Sequence, residues 1–219
     1  MAVNVEIWGS YACFSRPELK VERVSYDVIT PSAVRGILEA VFWKPAIRYV
    51  INEIRVCSPI KFENIRRNEI QSKASPGRER IYAADDRTQR AAMVLKDVRY
   101  VVNACFQPTE KVGGEDKLPD GSFNHGKFAE MITRRLRAGQ HYHQPYLGTR
   151  EFPAALRLIE PGEGLPEAIK EDRDLGLMLY DIDYEKSADG ERVTAFTPTY
   201  FRAEMIQGVI DLRNVTVLR

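Results

Sequence analysis

Asn124, His125 and Lys127 are the residues whose types and spacing best suit chemistry, because together they open a helical segment. Asn124 is a good N-cap, so Lys127 falls in the first turn. Backbone N–H groups without helical partners, and the positive helix end, already favour an anion there. A cation at that place is mildly unfavourable for the helix but adds charge to a ready phosphate site. A lysine fixed in this way can stabilise the pentacoordinate phosphorane that forms when RNA is cut by its own 2′-hydroxyl. The plainer reading is an exposed lysine that opens a helix and does nothing more.

The three histidines, His125, His141 and His143, fall within 19 residues. Imidazole titrates near neutral pH and suits proton transfer. As metal ligands these residues would need Glu130 or Glu151 as well, and their spacing matches no familiar metal motif. We assign no metal and no cofactor, since Walker, GxGxxG, GxSxG and HExxH patterns are all missing from the chain. Surface histidines flanking a helix would need no role at all.

Cations and flat rings gather in a second place, from Tyr11 to Pro45. Arg16, Lys20 and Arg23 occupy a proline-marked loop, Arg35 lies on the helix that follows, and Trp43-Lys44 closes it. Cations neutralise phosphates and rings stack on unpaired bases, so the stretch suits RNA. From Lys61 to Arg90 the chain holds eight basic residues against five acidic ones, Arg66, Arg67, Lys73, Arg78 and Arg80 among them. A flexible basic hairpin of this kind can follow a nucleic-acid groove. Arg134, Arg135 and Arg137 add a basic helix face, from which Arg134 and Arg137 are taken as phosphate contacts.

The formal net charge of +1 conceals an asymmetry. Residues 1–150 hold 24 Lys+Arg against 17 Asp+Glu, a net +7, whereas residues 151–219 hold 8 against 14, a net −6. A polyanion should therefore meet the first two thirds of the chain. No apolar run approaches the ~20 residues that span a bilayer, and the N-terminus lacks a signal-peptide layout, so we expect a cytoplasmic protein with no membrane partner. Cys13, Cys57 and Cys105 are an odd count without CxxC spacing and read as small buried hydrophobes in a reducing compartment.

Several elements must position these residues. Residues 3–14 read as a strand. Thr30 and Pro31 start a helix over 32–43, with Val34, Ile37, Leu38 and Val41 on its buried stripe and Arg35, Glu39 and Phe42 beside it. Residues 47–59 and 94–106 read as strands around the basic excursion, and 111–122 as a flexible link. A helix over 125–138 follows, capped by Asn124 and closed by Gly139, then a strand near 147–159. The order β-α-β-(β)-β-α-β is that of an α+β, ferredoxin-like (RRM-type) domain with a basic hairpin insertion. We place that domain at residues 1–159. Residues 160–219 form a small antiparallel β appendage, with strands near 176–184 and 205–212.

The blocks GSYACFSRPELKVERVSYDVITPSAVRGILEAVFWKPAI, FENIRRNEI, NHGKFAEMITRRLRAGQ and YLGTREFPA resemble the CRISPR-associated Cas proteins of the fifth family in their subtype I-C form. These belong to the RAMP superfamily. The resemblance runs from about residue 5 to 155 and more loosely through DLGLMLYDIDYE. It implies a ferredoxin-like domain with a small C-terminal sheet. It also implies metal-independent cleavage of precursor CRISPR RNA below the repeat hairpin. Such a protein then stays on the 5′ handle beside the other subunits of the type I-C Cascade complex.

The catalytic set implied by the resemblance is a tyrosine before Trp-Lys-Pro and a Lys-His pair opening the second helix. Lys127 matches the lysine, but Phe42 stands at the tyrosine position and Phe128 at the histidine position. Neither phenyl ring can carry a proton. His125 is the favoured substitute, with His141 or His143 open if their loop folds back, and Tyr26 and Tyr49 nearby in sequence. The first expectation is therefore an endoribonuclease, the second a non-catalytic subunit that caps the handle. A general binder of polyanions, double-stranded DNA included, or a metal-dependent nuclease, is the third.

Overall fold

The computed structural model describes residues 2–19, 22–73, 75, 77, 80–187 and 192–219. Lys20 and Arg78, both singled out above, lie outside the described residues. Strand β1 (Ala2–Ala12) turns Val3, Val5 and Ile7 into the core and Asn4 and Trp8 to the opposite face, with the period of two that a half-buried strand requires. It pairs antiparallel with β5 (Arg87–Pro108) on one side and β6 (Ala155–Ile159) on the other. Strand β3 (Ile47–Val56) pairs antiparallel with β5 and, on its other side, with the short β9 (Val209–Asp211), giving the path β6-β1-β5-β3-β9. The short β2 (Arg23–Val24) runs parallel to β5. The described residues therefore form a mixed α/β fold built on a mostly antiparallel sheet with two α-helices.

Both helices form where the capping chemistry predicts. The Thr30 hydroxyl accepts from Ala33 N at 3.2 Å and starts α1 (Pro31–Val41), whose Val34, Ile37, Leu38 and Val41 are buried. The Asn124 side chain starts α2 (His125–Arg137), and Gly139 follows its end at φ +61. The helices touch each other and pack on the sheet, α1 on β3 and α2 on β1 and β6. Among the described residues no helix is long and apolar enough to cross a membrane.

Strand β4 (Phe62–Ile70) pairs with the first part of β5, from Phe62 opposite Leu95 to Ile70 opposite Arg87. The basic excursion is thus a hairpin. Strands β7 (Arg173–Lys186) and β8 (Val193–Met205) make a separate ribbon.

Five expectations need correction. The first helix stops at Val41, and Phe42 is extended at φ −152 rather than helical. Its last carbonyls are claimed from outside: Tyr142 N donates to Ala40 O at 2.8 Å, Arg135 Nη1 to Val41 O at 2.9 Å and Tyr49 OH to Phe42 O at 2.7 Å. The strand expected from residue 147 begins only at Ala155, because 147–154 is a turn in which Gly148, at φ +85, lies so close to the Cys13 carbonyl that no Cβ fits. The supposed flexible link contains a 3-10 turn over Gly114–Asp116, with Asp116 buried. The strand expected over 205–212 is broken at Gln207 and Gly208, both at positive φ, and the short β9 (Val209–Asp211) joins β3 in the main sheet. Cys57 and Cys105 are half-buried rather than buried.

Candidate functional site

The start of α2 and the end of α1 meet around one block of aromatic rings. Phe128 is wholly buried and stacks on Phe123 at 5.0 Å and 12°. Phe42 lies 6.3 Å from Phe128, and Arg135 sits 5.5 Å over the Phe42 ring. His125 stands edge-on to Phe123 at 4.7 Å, with its ring open to solvent. Trp43 is 56% exposed at the adjoining end of α1. The two segments singled out separately in the sequence therefore form one corner.

Lys127 is held inside that corner rather than waving in solvent. Its backbone N–H donates to Asn124 Oδ1 at 3.0 Å. Its ammonium donates to Glu115 O at 2.7 Å and Asp116 Oδ1 at 2.8 Å, and passes 5.6 Å from the Phe128 ring. An ammonium has three N–H donors, so one is left for a ligand. The Asp116 carboxyl is held below the usual aspartate range, chiefly by the Lys127 hydrogen bond, which together with Gly113 N–H and the charges of Lys127 and Lys44 outweighs the cost of burial. Lys44 thus acts on the same spot from the α1 side.

The other basic residues divide sharply. Arg16 stacks over Tyr26 at 4.5 Å and pairs with Asp27 at 3.1 Å. Arg23 reaches Glu69 and Glu151, and Arg67 binds Glu151 while lying over Phe152. Arg35 ties α1 to β7 through Asp181 at 2.5 Å and also binds Glu39 at 3.0 Å, so this expected RNA contact is spent inside the fold. Arg137 makes a two-pronged pair with Glu160 at 2.6 and 2.7 Å. Lys44, Arg66 and Arg134, by contrast, have no ion-pair partner among the described residues, and Arg66 and Arg134 are exposed.

The remaining proton carriers are set apart from the start of α2. His141 and His143 follow its far end, about 20 Å along the 13 residues from His125, and their loop folds back on the last turn of α1, where Tyr142 N donates to Ala40 O at 2.8 Å. Burial pushes the Tyr49 hydroxyl far above its ordinary value, and that hydroxyl is committed to Phe42 O. Tyr26 is buried and raised for the same reason. Among the described residues no group of three His, Cys, Asp or Glu side chains converges as a metal cage would.

Sequence reasoning missed Asp116, Phe123 and Arg135 as parts of the corner. Asp116 lies 11 positions before Lys127, a spacing that carries no helical or strand signal. Phe123 lies between the supposed link and the Asn124 cap, where no periodic pattern marks it as a partner of Phe128.

The family described as CRISPR-associated protein (Cas_Cas5), in its Cas5d form, matches residues 2–213. A protein of Mannheimia succiniciproducens named CRISPR pre-crRNA endoribonuclease Cas5d is 49% identical over 226 residues, covering 96% of this chain and 94% of that one. A Thermus thermophilus protein of the same name is 39% identical, covering 96% of this chain and 90% of that one. This chain belongs to the Cas5 family, subtype I-C. A solved CRISPR-associated protein, 22% identical, shares the fold at a TM-score of 0.68 and covers 100% of this chain and 97% of its own. Against the family pattern described above, Phe42 and Phe128 are core residues, 3% and 0% exposed. In this Cas5 chain Lys127 is held by Glu115 O and Asp116 Oδ1, and the exposed imidazole beside it at the start of α2 is His125.

Proposed function

We propose that this chain binds precursor CRISPR RNA and cuts it at the base of the repeat hairpin, without a metal, by attack of the 2′-hydroxyl on the adjacent phosphorus. The P–O5′ bond breaks, leaving a 2′,3′-cyclic phosphate on one product and a 5′-hydroxyl on the other. His125 accepts the 2′-hydroxyl proton, and water at this exposed edge protonates the departing 5′-oxygen. Lys127 offers its free N–H to the extra charge of the phosphorane. The observation that carries the reading is the Lys127 ammonium, held two residues from an exposed imidazole at an anion-favouring helix start. Two relatives that are named pre-crRNA endoribonucleases support the substrate class.

Trp43, Lys44, Arg66 and Arg134 are the RNA contacts of this reading, while Arg16, Arg23, Arg35, Arg67 and Arg137 shape the scaffold behind them. The strand order β6-β1-β5-β3 with α1 and α2 supports a ferredoxin-like (RRM-type) RAMP domain with the β4–β5 hairpin as its insertion. Residues 1–159 then bind and cut RNA. Residues 160–219 are the smaller C-terminal part, which has its own β7–β8 ribbon and returns β9 to the main sheet. After cutting, the protein stays on the 5′ handle as a subunit of the type I-C Cascade complex.

The burial of Phe42 and Phe128 favours a second reading, a handle-binding subunit that does not cut. Double-stranded DNA is a further occupant for the unpaired cations, marked by steep salt dependence without repeat preference. Incubation with the cognate repeat RNA in EDTA decides: the proposal expects one cut ending in a cyclic phosphate, and intact hairpin after prolonged incubation overturns it.

A further inference from the structure

Asp116 is more firmly installed than a surface ion pair requires. Its side chain is 5% exposed whereas that of Lys127 is 27% exposed, so the acid is enclosed and the amine remains open on one side. Both carboxylate oxygens are engaged, Oδ1 by Lys127 at 2.8 Å and Oδ2 by Gly113 N at 3.4 Å. Its main-chain oxygen accepts from Asn124 N at 2.9 Å, and Asn124 is the residue that caps α2. The 3-10 turn, the helix cap and the lysine are therefore one bonded unit, and a bridge between Lys117 and Phe123 closes it on the other side.

We infer that Asp116 is a positioning residue for RNA cleavage: with Glu115 O it fixes the Lys127 ammonium so that its third N–H faces the scissile phosphate. This rests on the proposed cleavage at the α1–α2 corner. A lysine stem has many rotamers, and an ammonium left free would meet the phosphorane in only a fraction of them. The charge of Asp116 is of the wrong sign for holding RNA, so its value lies in geometry rather than affinity. Removing the charge should leave binding unchanged or tighter while cutting slows. A merely structural carboxylate would affect stability and both RNA functions together.

The experiment uses the full chain and cognate repeat RNA, with Asp116→Asn, Asp116→Glu and Lys127→Ala made in parallel, and Asp116→Ser in case the amide does not fold. Thermal melting, RNA affinity and single-turnover cutting are read for each. Asp116→Asn should cut more slowly by on the order of tenfold to a hundredfold, with affinity equal to or above that of the wild type. Asp116→Glu, which keeps the carboxylate, should recover part of the rate. Wild-type cutting by Asp116→Asn, or a loss that merely tracks lost affinity or melting temperature, overturns the inference while leaving the corner intact. If Lys127→Ala also cuts like the wild type, or the wild type does not cut, the proposed site itself falls, and this inference with it.

Discussion

The α1–α2 corner and the β4–β5 hairpin are both basic, yet they are built in opposite ways. In the corner, Phe42, Phe123 and Phe128 are packed ring on ring, and the helix cap and a buried aspartate fix the lysine. The hairpin has almost no core of its own, and β4 alternates exposed and half-buried residues along its length. Its inner face holds both acids of the strand, Glu63 against Lys96 and Glu69 against Arg23 and Arg90. Its outer face shows Asn64, Arg66 and Asn68, with Gln89 and Arg87 across the ladder and no carboxylate between them. Neighbouring residues of one type thus receive different duties: Arg67 locks the hairpin to Glu151, and Arg66 is left for a ligand. Breaking a bond needs the first kind of rigidity, whereas holding an RNA backbone needs only charge within reach.

Substitutions in the two regions should separate stability, rate and affinity. The largest effect belongs to Phe128→Ala, which empties a buried ring site and should cost about 3–5 kcal/mol in urea unfolding, against roughly 0.5 kcal/mol or less for Arg66→Ala. His125→Ala should slow single-turnover cutting by about a hundredfold or more with affinity within a few-fold; an unchanged rate would move the proton carrier elsewhere. Arg66→Ala should weaken RNA binding by about 1 kcal/mol and make the log–log salt slope shallower by roughly 0.7–0.9, whereas Arg67→Ala should leave that slope and loosen the hairpin instead. Equal salt effects from both would erase the distinction between the two faces.

The smallest effect sharpens the contrast away from both regions. Burial alone would raise the Glu6 carboxyl, but hydrogen bonds from Arg157 and Arg99 prevail and hold it below its ordinary value. Its stabilisation is therefore present above the usual glutamate range and lost as pH falls through the lowered value. Glu6→Gln should melt below the wild type at neutral pH, and the gap should close on acidification. A gap independent of pH would mean that Glu6 acts through shape alone.

Both helices were legible because their starts are written locally, in Thr30-Pro31 and in Asn124 with Lys127 three residues on. The hairpin was legible from a polar, basic stretch between two apolar runs. What was not legible depends on partners far along the chain. Arg35 looks like any exposed helix cation until Asp181, 146 residues later, meets it. Phe42 follows a helical run, and the partners that take up the last carbonyls, Tyr49, Arg135 and Tyr142, come from positions that its local sequence does not announce. Asp116 sits among glycines and charges that read as a loose link, and the groups that hold it in its buried place include Asn124 and Lys127, eight and eleven residues further on.

The most direct test compares wild type with Lys127→Ala on repeat RNA in EDTA, reading affinity and single-turnover rate side by side. The corner account predicts a loss of about a hundredfold or more in rate, with affinity within a few-fold. Undiminished cutting by Lys127→Ala, or a loss of cutting wholly explained by lost binding, would contradict it.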